Sequence, residues 1–98
     1  MNISYRLEEI DFEWDSDKAD TNLLKHDVSF TEAPEVFLDP FVYPVDARDV
    51  EEEARDAVIG LTRKWRLLYM AYVWRKLTLR LISARKATKT ERKLYENQ

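Results

Sequence analysis

The segment 77–96 changes its periodicity in the middle, and this change constrains the fold more than any other feature of the sequence. At residues 77–81 leucines alternate with other residues, which is typical of a strand with one face in a core. The Thr-x-x-Glu sequence at residues 88–91 then has the form of a capping box, in which both side chains accept backbone N–H groups at a helix start. The sequence therefore predicts a strand that ends near Arg85 and a short helix that begins near Lys89.

The size and composition of the chain predict one domain over residues 1–98 with a modest core, since it has 98 residues and 45% of them are hydrophobic. It has no cysteine, which excludes disulfides, thiolate nucleophiles and cysteine metal sites. No apolar run approaches the roughly 20 residues that span a bilayer. The first residues lack the apolar core of a signal peptide. We therefore expect a cytoplasmic protein with no membrane contact.

The charged residues divide sharply at Gly60, although the net charge is only −3. Before Gly60 there are 5 basic and 17 acidic residues, and from Gly60 onward there are 11 basic and 2 acidic residues. A basic half favours a polyanionic partner such as nucleic acid. The alternative is that acidic and basic surfaces pair with each other within the fold or in an oligomer.

The first part of the chain is predicted to form a short strand and two helices. Residues 12–14 place two aromatic side chains on one face of a strand, and Asp15 is placed to cap a helix that runs to about Lys25. Residues 29–32 form a second capping box, which predicts a second helix that ends before Pro40.

Strands dominate the middle of the chain. Residues 41–45 are predicted to form an edge strand, 55–62 a second strand, and 66–75 a long central strand that joins the strand from Leu77 through a tight turn. Gly60 indicates a bulge or a close backbone approach. The expected fold is α+β: a small antiparallel sheet, a meander of three to four strands, with two N-terminal helices and a C-terminal helix packed on it.

Basic side chains and one histidine are the residues that favour chemistry on a phosphate. Four arginines lie on or at the ends of neighbouring strands, where they can bind a phosphate or stabilise its transition state, or form salt bridges to the acidic half: Arg66, Arg75, Arg80 and Arg85. His26, the only histidine, suits proton transfer. Its alternative role is that of a histidine at a helix end.

Two further groups of residues have weaker functional interpretations. Trp74 can stack on a base, although aromatic residues more often fill small cores. The carboxylates at residues 51–53 can supply a general base, although such runs are usually solvated. The sequence has no carboxylate metal cage, phosphate-binding glycine loop or nucleophile elbow.

The sequence resembles the BrnT family, the toxins of the BrnT/BrnA type II toxin–antitoxin systems. Two runs carry the resemblance in combination: Lys-His-x-Val-Ser-Phe at residues 25–30 and Ile-Ser-Ala-Arg-Lys-Ala-Thr at residues 82–88. Shorter matches extend along nearly the whole chain from Phe12 onward, among them Asn22 and Trp74-Arg75.

The resemblance implies a RelE-like fold and an endoribonuclease that cuts mRNA and arrests growth without a metal or other cofactor. The expected reaction is attack of a ribose 2′-hydroxyl on the adjacent phosphate. The resemblance also implies a BrnA-like antitoxin that covers the toxin, so that operator DNA is reached only through the antitoxin.

The resemblance further assigns residues to the site by match of motif. The expected catalytic residues are Lys25, His26, Arg66, Arg75 and Arg85. The three arginines would neutralise the phosphate, and Lys25 or His26 would transfer protons. The expected RNA-binding residues are Trp74, Arg80 and Lys86.

The chain departs from this family at two turns. Asp27 stands where family members often have glycine, and residues 63–65 replace a turn that usually contains glycine. These departures support an alternative function, a catalytically degenerate module that binds antitoxin or RNA without cleavage. A DNA-binding protein is a weaker third possibility, because the sequence has no strong recognition-helix pattern.

Overall fold

The computed structural model describes residues 1–47 and 56–98, which contain six strands and three helical segments. The strands are β1 (Asn2–Leu7), β2 (Ile10–Asp15), β3 (Tyr43–Asp46), β4 (Asp56–Leu61), β5 (Leu67–Arg75) and β6 (Thr78–Lys86). The helices are α1 (Ser16–His26), a 3-10 helix (Ala33–Leu38) and α2 (Lys89–Glu96). The strands form one mixed sheet in the order β1-β2-β6-β5-β4-β3.

The sheet buries apolar side chains on both of its faces. On the front face, α1 and the 3-10 helix cover the larger core, which includes Phe12, Met70 and Leu79. On the back face, the smaller core includes Ile59 and Tyr69, and Tyr95 of α2 packs against it. The long strand β5 lies between β6 and β4 and contributes to both cores, as its run of apolar residues predicts.

Several local predictions are confirmed. Strands β4, β5 and β6 form an antiparallel meander, and β3 is an edge strand. The Thr88 hydroxyl accepts from the Glu91 N–H at 3.2 Å, and the Glu91 carboxylate accepts from the Thr88 N–H at 2.9 Å. Asp15 caps α1, and Asp27 ends it in the left-handed conformation with φ 57°.

The expected sheet of three to four antiparallel strands is wrong in two respects. The sheet has six strands, and β2 runs parallel to β6. The strand that the sequence analysis missed is β1, which forms a hairpin with β2. Its signal was present, because Ile3, Tyr5 and Leu7 alternate with polar residues and pack against the front core.

The second predicted helix is a 3-10 helix, and its capping box is only half formed. The Ser29 hydroxyl accepts from the Glu32 N–H at 3.1 Å, as predicted. The Glu32 carboxylate instead binds Arg66 and Thr62, because two charge-assisted bonds to one arginine are stronger than a single bond to the cap N–H.

Gly60 permits the close backbone approach that the sequence predicts. A Cβ atom at this position would lie 2.9 Å from Val36 Cβ and 3.0 Å from the Val36 carbonyl oxygen. The glycine therefore brings β4 directly against the 3-10 helix.

The carboxylates at residues 51–53, for which the sequence allows a role as general base, lie outside the described residues. Among the helices that the structure describes, none combines the length and the apolarity needed to cross a membrane.

Candidate functional site

Five of the eight predicted site residues gather where α1 ends, β5 begins and β6 ends. We call this region the basic corner and define it by Lys25, His26, Arg66, Arg85 and Lys86. Arg66 Nη2 donates to the Asp27 carbonyl at the end of α1, at 2.7 Å. Leu68 lies opposite Lys86, and Tyr69 lies opposite Arg85, in the β5–β6 ladder.

Asn22 fixes α1 against β6 and thereby positions one side of the basic corner. Its side-chain amide donates to the Ala84 carbonyl at 2.8 Å and to the Val28 carbonyl at 3.0 Å, and its oxygen accepts the Ala84 N–H at 3.1 Å. The pairing of β2 with β6 reaches only to Arg80, so β2 does not bind the backbone of β6 beyond that residue. The Asn22 side chain binds the N–H and the carbonyl of Ala84 there instead. Asn22 is buried, and Lys25 follows it by three residues on the helix surface.

A polar groove of about 250 Å³ lies between α1 and β6. Lys25 and His26 line it together with the hydroxyl-bearing residues Thr21 and Ser83. The two residues expected to transfer protons therefore share one groove.

Arg66 is held by a cluster of buried and half-buried groups. Its guanidinium binds the Glu32 carboxylate at two points, with Nε 3.0 Å from Oε2 and Nη2 2.8 Å from Oε1. The Thr62 hydroxyl donates to the same carboxylate at 2.8 Å. Nη1 of Arg66 lies 3.7 Å from the Asp27 carboxylate. The Arg66 side chain is 24% exposed, and the Glu32 side chain is 7% exposed.

The pKa values of Glu32 and Arg66 are both shifted in the direction that favours the charged form. Burial by itself raises the pKa of the Glu32 carboxyl, but hydrogen bonds from Arg66 and Thr62 outweigh it and lower that pKa below its usual value. The hydrogen bond to Glu32 raises the pKa of Arg66. Arg66 is therefore a permanent cation whose position is fixed before any ligand arrives.

Arg85 is held in a similar way on the back face. Its guanidinium forms a bidentate pair with Glu91 at 2.8 and 2.9 Å and lies 4.2 Å from the centre of the Tyr69 ring. Burial raises the pKa of Glu91, but the hydrogen bond from Arg85 and the Thr88 N–H lower it below its usual value. Because Glu91 also completes the cap of α2, Arg85 is joined rigidly to the start of that helix.

Lys25 and Lys86 are the exposed lysines of the basic corner. Both are exposed, and neither forms an ion pair with any residue in 1–47 or 56–98. They can therefore reach an incoming phosphate without first breaking a salt bridge.

Three predicted residues lie at the other end of the sheet, near the β5–β6 turn. Arg66 precedes β5 and Arg75 is its last residue. Nine residue steps in a strand span about 30 Å, so the two arginines lie at opposite ends of β5. Trp74 is half exposed and shares the front-face positions of Met70 and Tyr72, whereas Arg75 lies on the back face. The predicted residues therefore do not form one cluster.

The four arginines are divided between the two faces of the sheet. Arg75, Arg80 and Arg85 lie on the back face, whereas Arg66 lies on the front face with Glu32. Arg80 binds Glu13 at 2.8 Å, so Arg66 and Arg80 both make the salt bridges to the acidic half that the sequence left open.

In the part of the chain that the structure describes, no three His, Cys, Asp or Glu side chains are grouped so as to hold a metal ion.

Comparison with protein families identifies the chain. A family model described as the ribonuclease toxin BrnT of type II toxin–antitoxin systems matches residues 14–91. The chain belongs to the BrnT family. Comparison with curated proteins gave no match. As a member of a type II toxin family, the chain is expected to have RNA as its substrate and an antitoxin as its partner.

The BrnT match covers every residue of the basic corner and leaves out β1, most of β2 and most of α2. Sequence reasoning missed Glu32 and Asn22 as positioning residues. Glu32 was read only as part of a cap, because its distance of 34 positions from Arg66 hides their contact. Asn22 gave a signal, since it is an amide in the middle of a helix, where such residues are disfavoured.

Proposed function

We propose that this BrnT-family chain, acting as one toxin domain over residues 1–98, is a metal-independent endoribonuclease that cleaves mRNA in the cytoplasm and arrests growth. The observation that carries the proposal is the basic corner, where glutamate-bound arginines, exposed lysines and the only histidine of the sequence meet. RNA cleavage of this type needs those groups, because negative charge develops on a phosphate while two protons move.

In the proposed reaction the ribose 2′-oxygen forms a bond to the adjacent phosphorus, and the bond from phosphorus to the 5′-oxygen breaks. A neutral nitrogen of His26 accepts the proton of the 2′-hydroxyl, and the ammonium of Lys25 in the same groove or a water protonates the 5′-oxygen. The products are a 2′,3′-cyclic phosphate and a 5′-hydroxyl.

The phosphate is proposed to lie between Arg66 and Lys86. Support comes from Arg66 Nη1, which donates no hydrogen bond within residues 1–47 and 56–98. Glu32 and Asp27 orient the guanidinium, so this group would stabilise the transition state with little reorganisation. Arg85 would add to the positive potential from the back face.

A BrnA-like antitoxin is the proposed partner, and it would neutralise the toxin by covering the basic corner. We propose that operator DNA is bound only by the complex, through the antitoxin. Co-purification of the two chains, with loss of RNA cleavage at equimolar antitoxin, would test this part of the proposal.

A second candidate function is that of a binding module that no longer cleaves RNA. The observation that favours it is that Arg66, Arg80 and Arg85 each bind a glutamate at 2.8 Å, which lowers the positive charge available to a phosphate. Such a module would bind antitoxin or RNA without cutting it.

The test incubates the purified chain with a labelled single-stranded RNA, in EDTA and without it. The proposed enzyme gives fragments with a 2′,3′-cyclic phosphate in both conditions, and an RNA with 2′-deoxyribose at the cleaved position stays intact. RNA that is bound but not cut would favour the binding module. Cleavage that EDTA abolishes would contradict the metal-independent reaction.

A further inference from the structure

Trp65 lies in the turn between β4 and β5 in a conformation that tryptophan rarely adopts. Its φ is 62°, in the left-handed region, and its side chain is 83% exposed. In this region the Cβ atom crowds the following carbonyl oxygen, so glycine, asparagine and aspartate are favoured and a bulky residue is an outlier. Neither local conformation nor burial accounts for a tryptophan here.

The turn is held rigidly by hydrogen bonds. The Thr62 N–H donates to the Arg66 carbonyl and the Trp65 N–H to the Thr62 carbonyl, each at 3.0 Å. The Lys64 N–H donates to the Thr62 hydroxyl at 3.2 Å, and the Arg63 N–H donates to Glu35 at 2.9 Å. The surrounding structure thus imposes the strained conformation, as is often found at ligand-binding positions.

The position of the turn places the indole beside the basic corner. Arg66, the next residue, is the fixed cation for which we propose contact with the phosphate. Trp65 also lines an open groove of about 230 Å³ with Leu38, Leu61 and Arg63. Most of the accessible surface of this groove is apolar; the carboxylates of Glu35 and Asp39 also line it, and both accept backbone N–H groups.

We propose that Trp65 is a stacking platform for an unpaired nucleobase of single-stranded RNA that lies next to the phosphate at the basic corner. The inference rests on the proposed function, because it takes RNA as the ligand. Aromatic side chains that stack on bases beside backbone-binding cations are the usual way in which proteins hold single strands.

The cations beside Trp65 favour the sugar–phosphate backbone of RNA over a protein segment as the occupant, although Glu35 and Asp39 also line the groove. Lys64 is exposed and forms no ion pair with the described part of the chain. Within residues 1–47 and 56–98, the only ion pair of the Arg63 side chain is an exposed contact to Glu8 at 3.5 Å, and such contacts hold a side chain weakly. Both cations can follow the sugar–phosphate backbone of a stacked nucleotide.

The test compares two substitutions that relieve the same strain. Trp65→Gly removes the indole at a left-handed position, and Lys76→Gly is the control, since Lys76 is exposed and has φ 57°. Both variants are expected to melt at a higher temperature than the wild-type chain, because glycine adopts this conformation freely. A change in binding by Trp65→Gly therefore cannot be attributed to loss of folding.

Binding is measured by fluorescence anisotropy with a labelled, 2′-O-methylated single-stranded RNA that cannot be cleaved. We expect Trp65→Gly to bind roughly tenfold more weakly, because one base stack is lost. Trp65→Tyr should keep most of the affinity, and Lys76→Gly should remain within about twofold of the wild type because it loses a single exposed charge.

Equal RNA affinity of Trp65→Gly and the wild-type chain, with RNA cleavage by the wild type intact, would overturn this inference and leave the proposed function standing. Loss of antitoxin affinity by Trp65→Gly with unchanged RNA affinity would also overturn it, since the turn would then be a protein-docking surface. A wild-type chain that binds no RNA would overturn both proposals.

Discussion

Arg66 and Glu32 form a bidentate ion pair on the front face, with Nε 3.0 Å from Oε2 and Nη2 2.8 Å from Oε1. The pair joins the start of β5 to the residue before the 3-10 helix, and a hydrogen bond from Arg66 to the Asp27 carbonyl extends it to the end of α1. Arg66 is therefore part of the fold as well as a candidate for phosphate binding. Loss of activity on its removal would not by itself assign it a catalytic role.

Arg66→Ala is expected to lower the free energy of unfolding by about 3 kcal/mol, because it leaves the buried Glu32 carboxylate unpaired. Arg66→Met combined with Glu32→Gln should recover at least half of that loss, since no buried charge then remains. Urea denaturation measures both variants, with Arg92→Ala as a surface control. A loss below about 1 kcal/mol for Arg66→Ala would contradict the structural role.

A fall in pH should weaken the Arg66–Glu32 ion pair. The folded-state pKa of Glu32 lies below its unfolded value, so the stability that the carboxylate contributes is complete above the unfolded pKa of about 4.3 and is lost as the pH falls through the folded pKa. The stability difference between the wild-type chain and Glu32→Gln should therefore shrink from about pH 6 to about pH 3. Denaturation at several pH values checks it, and a constant difference would contradict the lowered pKa.

Glu91→Gln is expected to raise RNA affinity about threefold, because it removes one negative charge next to Arg85 in the basic corner. The glutamine oxygen can still accept the Thr88 N–H, so α2 should keep most of its capping. Anisotropy titrations at two salt concentrations measure the effect. Unchanged affinity with an intact fold would show that Arg85 does not influence bound RNA.

Asn22→Ala should cost about 2–3 kcal/mol of stability, because it leaves the buried N–H and carbonyl of Ala84 without partners. Amide hydrogen exchange at Ala84 should accelerate more than exchange at Leu81, which is in the same strand. Thr21→Ala, on the groove side of α1, serves as the matched control. Equal acceleration at both amides would indicate general loss of stability rather than release of the β6 edge.

The parts of the fold that depend on neighbouring residues could be predicted from the sequence. The cap at Thr88, the cap at Asp15 and the meander from β4 to β6 each depend on contacts between residues close in the chain. Strand β1 was also predictable, and its alternation from Ile3 to Leu7 was overlooked.

The site was predictable in its residue types but not in its arrangement. The sequence indicated the arginines, yet the face of the sheet on which each one lies depends on where its own strand begins. The partner of Arg66 is Glu32, the residue before the 3-10 helix. Its carboxylate binds Arg66 instead of the cap N–H that the sequence predicts. Packing decides which residues distant in the sequence form pairs, and local sequence patterns do not show these pairs.

The proposed function assigns RNA cleavage to the basic corner and not to the opposite end of the sheet. The most direct measurement is the rate of RNA cleavage in EDTA by the double variant Lys25→Ala/Lys86→Ala, which changes two exposed side chains. Lys76→Ala/Lys93→Ala is the control, because it removes the same charge from two other exposed positions.

We predict that the corner variant cleaves at least about 100-fold more slowly than the wild type, since it loses a phosphate contact and a candidate for proton transfer. The control should cleave within about threefold of the wild type, because it loses only general attraction for RNA. Equal cleavage by the two double variants, with both folded, would contradict the assignment of the site to the basic corner.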